Sequence, residues 1–66
     1  MFKVNEKLLR RLMIQQKLTA SDLARLSGLR VLTITKILRG GAVALLPTIG
    51  KLGDALKIDG EQLILE

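Results

Sequence analysis

Apolar residues recur along this chain at intervals of three and four positions, the period of an α-helix, and no stretch alternates long enough to predict a strand. Asn5 is placed to cap a first helix over about 5–16, with Leu8, Leu9, Leu12 and Met13 on one face. Thr19 opens a second helix over 20–27, with Asp22 at the reciprocal capping position and Leu23, Ala24 and Leu26 as its apolar residues. Gly28 suits the left-handed residue that ends it. A third helix over 31–38 turns Ile34, Ile37 and Leu38 inward, and Gly40-Gly41 starts a loop lasting to about Leu45. Pro47 is tolerated in the first turn of a fourth helix, 47–57, carrying Ile49, Leu52, Ala55 and Leu56. Asp59 is expected to cap a short fifth helix, 60–65, with Gln62 at its capping-box position and Leu63 as its anchor. The pattern predicts one all-α domain over residues 1–66, built from five short helices.

Composition narrows the chemistry. The chain has no Cys and no His, so disulfides, thiolate metal sites, cysteine nucleophiles and the commonest general base are excluded. No enzyme activity, cofactor, metal or small-molecule substrate is expected. The longest apolar run, Ala42 to Leu46, is far short of the ~20 residues that span a bilayer. The first residues, Met1 to Lys7, are too polar for a signal peptide. A soluble cytoplasmic domain is therefore expected. Eleven basic against six acidic residues give a net charge of +5, which suits a polyanionic partner. Yet 48% of residues are apolar, a large share for so short a chain.

The most informative stretch is Leu18-Thr19-Ala20-Ser21-Asp22-Leu23-Ala24-Arg25-Leu26-Ser27-Gly28-Leu29. It reads as a helix, a tight glycine turn and the start of a second helix, with Ala24 small where the next helix crosses. Continued through Ile34, Ile37 and Gly40, then Thr48 to Leu52, Ala55-Leu56 and Asp59 to Leu63, it resembles the lambda-repressor and Cro type of helix-turn-helix domain, the XRE family. The resemblance implies a compact five-helix fold whose third helix enters the DNA major groove.

Set beside that family, the contacting positions carry unusual residues. Ala20 stands where relatives commonly carry a phosphate-binding Gln. Val31 and Leu32 occupy base-reading positions, and neither side chain forms a hydrogen bond; apolar contact with a thymine methyl is what they offer, a weak discriminator beside a bidentate amide or guanidinium. Arg30 replaces the usual Ser or Thr cap, at a cost of about 1 kcal/mol. The loop Gly41 to Leu46 has no charge, where relatives are basic and polar. Met13 and Leu38 replace an ion pair between the first and third helices, a change that is often neutral or stabilising by about 1–4 kcal/mol. Lys3, Lys7, Arg10 and Arg11 read as solvated surface charge.

These departures cluster on one face: Val31, Leu32, Val43, Leu45 and Leu46, with Ala20, Ala42 and Ala44. Leu46 is expected to be core, and Leu45 is left open between core and surface. Burying a Val or Leu is worth about 1.5–3 kcal/mol, so a cluster left in solvent marks a contact surface. The favoured reading is a protein-binding module on a helix-turn-helix scaffold, its face rebuilt by design or selection. Its interface would comprise Ala20, Arg30, Val31, Leu32, Thr35, Lys36, Ala42, Val43 and Leu45, and its partner would be another protein or a second copy of itself. The alternative is a sequence-specific DNA-binding regulator of the XRE type, dimeric on a palindromic site, contacting double-stranded DNA through Arg30, Thr33, Lys36 and Arg39.

Overall fold

The computed structural model describes residues 1–65. A short strand, β1 (Phe2–Lys3), leads into α1 (Glu6–Gln16), α2 (Ala20–Ser27) and α3 (Val31–Leu38); β2 (Val43–Ala44), α4 (Leu46–Leu56) and a 3-10 turn (Gly60–Leu63) follow. Capping fixes the starts of the first two helices. The Asn5 side chain accepts the Leu8 N–H at 3.1 Å. Thr19 and Asp22 cap each other: Asp22 N–H donates to Thr19 Oγ1 at 3.1 Å, and Thr19 N–H donates to Asp22 Oδ2 at 2.9 Å.

Helices α1 and α4 end alike. Lys17 and Lys57 take left-handed φ values of 58° and 62°. The next N–H in each case reaches back five residues, from Leu18 to Met13 and from Ile58 to Gly53. Both are Schellman ends with lysine in place of glycine.

Every helix contributes to one core. Leu9, Leu23, Ile34, Ile49, Leu52, Leu56 and Leu63 are fully enclosed, and Val4 and Ile37 close its margins. Helices α2 and α3 form the helix-turn-helix unit, α4 packs against α2, and α1 packs across α3 and α4.

Five expectations need correction. The fifth helix is a single 3-10 turn of four residues, and Asp59 makes no side-chain cap there; Leu63 still anchors the segment in the core. Two short strands pair where none was expected: Phe2 lies opposite Ala44 and Lys3 opposite Val43, antiparallel. Two residues are too few to show a period of two. On its other side the N-terminal segment bridges Val4 to Ile64, with Leu65 N–H donating to the Lys3 carbonyl at 2.9 Å. Pairing also sorts the loop, because alternation turns Ala44 inward, not outward as expected, and leaves Val43 exposed. Leu46 is exposed rather than core: it is the first residue of α4, one turn before Ile49. Leu26 likewise falls outside the buried stripe of Leu23, Ala24 and Ser27 and is exposed.

Two glycines of α4 differ sharply. A Cβ on Gly53 would lie 2.8 Å from the Gly60 nitrogen and 2.9 Å from the Ile58 carbonyl oxygen, whereas one on Gly50 meets nothing within 4 Å. Gly53→Ala should therefore lower the denaturation midpoint, while Gly50→Ala should stabilise by about 0.5–1 kcal/mol through helix propensity. Equal effects would contradict this close approach. A second expectation concerns acid. The Thr19 backbone and hydroxyl, then Arg25 at 3.4 Å, hold the Asp22 carboxyl below the usual aspartate range. A carboxyl depressed by folding stabilises above its unfolded pKa and loses that contribution as pH falls through the folded value. The stability advantage of the natural chain over Asp22→Asn should shrink across that window, as followed by thermal melts at stepped pH.

Candidate functional site

The turn between α2 and α3 is held by backbone geometry and one hydroxyl. Gly28 takes φ 76°, and its N–H donates to the Ala24 carbonyl at 2.9 Å. Ser27 is the only buried polar residue among the described residues. Its hydroxyl accepts the Leu29 N–H at 3.2 Å and donates to the Ala24 carbonyl at 3.4 Å. Ala24 is itself buried, which lets α3 cross closely. The turn thus satisfies its own polar groups and sets the angle at which α3 leaves α2.

Helix α3 divides cleanly. Ile34 and Ile37 face the core, with Leu38 half-buried beside them. The opposite stripe, at i, i+3, i+4 and i+7, is Leu32, Thr35, Lys36 and Arg39. Leu32 is 67% exposed and Val31 43%. The Thr35 hydroxyl donates to the Leu32 carbonyl at 3.0 Å, so its proton is spent on the helix itself. Lysine 36 and Arg39 are the cations of this stripe. Arg30 precedes the helix, exposed, and makes no side-chain cap.

Not all of the expected site residues converge. Thr33, Lys36, Ala42, Val43 and Leu45 line one groove of about 280 Å3 between α3, β2 and the start of α4. Met1 and Thr48 complete its rim beside them, and neither was anticipated from the sequence. Ala42 is half-buried against the core, as is Ala20, the first residue of α2. Arg30, Val31, Leu32, Thr35 and Arg39 lie outside this groove, on or beside the outer surface of α3.

Met13, on α1, is buried, and Leu38, near the end of α3, is half-buried. Helices α1 and α3 are also joined by Arg10, whose guanidinium donates to the Leu38 carbonyl. Arg10 is therefore more than solvated charge: it satisfies a carbonyl at the negative end of α3.

Charge is distributed unevenly. Between Leu23 and Gly53 stand Arg25, Arg30, Lys36, Arg39 and Lys51, with no acidic residue. Elsewhere, six basic residues are matched by six acidic ones, so this one stretch accounts for the whole net charge of +5. Among the described residues no group of His, Cys, Asp or Glu is placed to hold a metal ion, and no helix is long and apolar enough to cross a membrane.

A short helix, a glycine turn and a second helix whose outer face is free define a helix-turn-helix domain. The chain belongs to the Cro/C1-type helix-turn-helix DNA-binding domains, whose family model matches residues 8–64. Among solved structures it resembles Streptomyces albus HEPD with substrate 2-hydroxyethylphosphonate and Fe(II) bound, at 26% identity and a TM-score of 0.83. The match covers 98% of this chain but only 15% of that one. No curated protein matches the chain. The family membership favours the DNA-binding alternative over the protein-binding module, and neither finding supports an engineered origin.

The missing cap on α3 is testable. Arg30→Ser restores an acceptor for the first free N–H groups and should raise stability by about 1 kcal/mol in urea denaturation. An unchanged or lower midpoint would mean that Arg30 already stabilises this end in another way.

Proposed function

We propose that this domain binds double-stranded DNA, laying the outer stripe of α3 in the major groove. Lys36 approaches the groove from the second turn of α3, while Arg30 and Arg39 meet phosphates at the two ends of the helix. Thr33 flanks this contact from the groove beside α3. The observation that carries the reading is the concentration of all net positive charge between Leu23 and Gly53, the stretch holding most of the helix-turn-helix unit. Neutralising phosphates releases counterions, and this release supplies most sequence-independent affinity for DNA. A regulator of this kind reads a palindrome as two copies, one per half-site.

A protein partner, or a second copy of the chain, is the other reading. It is favoured by one observation: Val31, Leu32, Val43, Leu45 and Leu46 are all exposed. Val31 and Leu32 stand beside Arg30, Lys36 and Arg39 along α3, and Val43 and Leu45 line the neighbouring groove, so apolar and charged residues alternate as they do at the centre and margin of a protein interface. Arg30, Lys36 and Arg39 along α3 oppose self-association there, since two copies meeting on this helix would bring like charges together.

Fluorescence anisotropy on a labelled 20-base-pair duplex separates the two. The duplex reading expects affinity to fall steeply with salt. Lys36→Ala and Arg39→Ala should each weaken binding and flatten the log–log salt slope by about one. A slope near zero, or variants indistinguishable from the natural chain, would reject it.

A further inference from the structure

The outer face of α3 has few polar tips. Among Val31, Leu32, Thr35, Lys36 and Arg39, the two residues of the first turn are hydrocarbon. The one hydroxyl is engaged with the Leu32 carbonyl at 3.0 Å. The two cations follow one and two turns after Leu32. In the major groove, each base pair presents donors and acceptors, but only one apolar group: the 5-methyl of thymine. For an exposed isobutyl and an exposed isopropyl group leading the helix, that methyl is the most prominent apolar group on the base edges.

We propose that Leu32, assisted by Val31, selects thymine by packing on its methyl group, so that the domain discriminates between duplexes by hydrocarbon contact. The inference rests on the duplex-binding reading above and adds what that reading lacks, the chemical group recognised. Lys36, one turn further on, is placed to donate to a purine N7 or a guanine O6 beyond the thymine contact. Its ammonium is a point charge without the fork of arginine, so it adds attraction with little geometric discrimination. The methyl contact then carries the larger share of the selectivity. The family's polar positions would instead match hydrogen-bonding edges, which Val31 and Leu32 cannot do.

Methyl content can be changed without altering base pairing. Binding of the intact domain is compared on an alternating dA·dT duplex and its dA·dU counterpart, which differ only in the 5-methyl groups. A second pair compares an alternating dG·dC duplex with the same duplex carrying 5-methylcytosine. Each buried methyl is worth roughly fourfold in affinity, so the dA·dT duplex should bind at least about fourfold more tightly than dA·dU. Methylated dG·dC should gain in the same direction. Leu32→Ala should shrink the ratio towards one with the salt slope unchanged, and Leu32→Met should keep most of it. Circular dichroism confirms that both variants fold, as expected for so exposed a position.

Equal affinity for dA·dT and dA·dU, with normal salt dependence, would overturn the methyl inference and leave duplex binding standing. A ratio that survives in Leu32→Ala would assign the preference to another residue and overturn it as well. Failure to bind any of the duplexes would reject the duplex reading itself. Light scattering on the same samples covers the remaining case: a mass above the monomer that Leu32→Ala abolishes, without methyl discrimination, would reassign this face to protein contact and overturn the proposal.

Discussion

The crossing of α2 and α3 governs everything the domain presents. It depends on a close approach at Ala24, a left-handed residue at Gly28, and a buried hydroxyl at Ser27 that serves both sides of the turn. None of these groups touches a partner. They fix which residues of α3 must be hydrocarbon for the core and which are free to vary. A larger residue at Ala24 would push the helices apart, and a Cβ at Gly28 would strain the turn even though the space around it is open. The outer stripe of α3 is therefore held rigidly by residues that have no part in recognition.

On that rigid face, affinity and selectivity reside in different groups. The cations are long and flexible and respond to the density of charge, whatever the base sequence. The exposed apolar residues are short and stiff and respond to shape. A partner satisfying both must be polyanionic and must also display isolated hydrocarbon groups at fixed spacing. A DNA duplex has both properties, and this makes the charge distribution and the apolar surface compatible demands on one ligand.

Much of this was legible in the sequence, and the rest was hidden for physical reasons. Helices α1 and α2 were readable because a cap opens each apolar stripe and a glycine closes the second: Asn5, the Thr19–Asp22 pair and Gly28 all act as their residue types predict, whereas α3 was legible from its apolar period alone and starts without a side-chain cap. The strands were not readable, since a two-residue pairing is stabilised by contacts distant in sequence and leaves no local period. For the same reason Ala44 was expected at the surface and Leu46 in the core; the pairing of Ala44 with Phe2 decides the first and the start of α4 the second. The last turn contains enough apolar residues for a helix, but Gly60 lies against Ile49 and Gly53, and the tight fit there accommodates a 3-10 turn. Of the candidate site, exposure at Val31 and Leu32 followed from helical phase alone. The groove that brings Thr33 and Lys36 to Met1 and Thr48 did not, because it exists only once the N-terminus has folded back beside β2.

That return of the N-terminus links two regions far apart along the chain. Residues 2–5 are hydrogen-bonded on both edges, to residues 42–44 on one side and to residues 63–65 on the other. Peeling the segment away would expose Val4 and free both neighbours together. Local opening here is accordingly a single cooperative event. The loop beside α3 and the far end of the polypeptide breathe in concert, so slow exchange of amide hydrogens at one would be matched at the other.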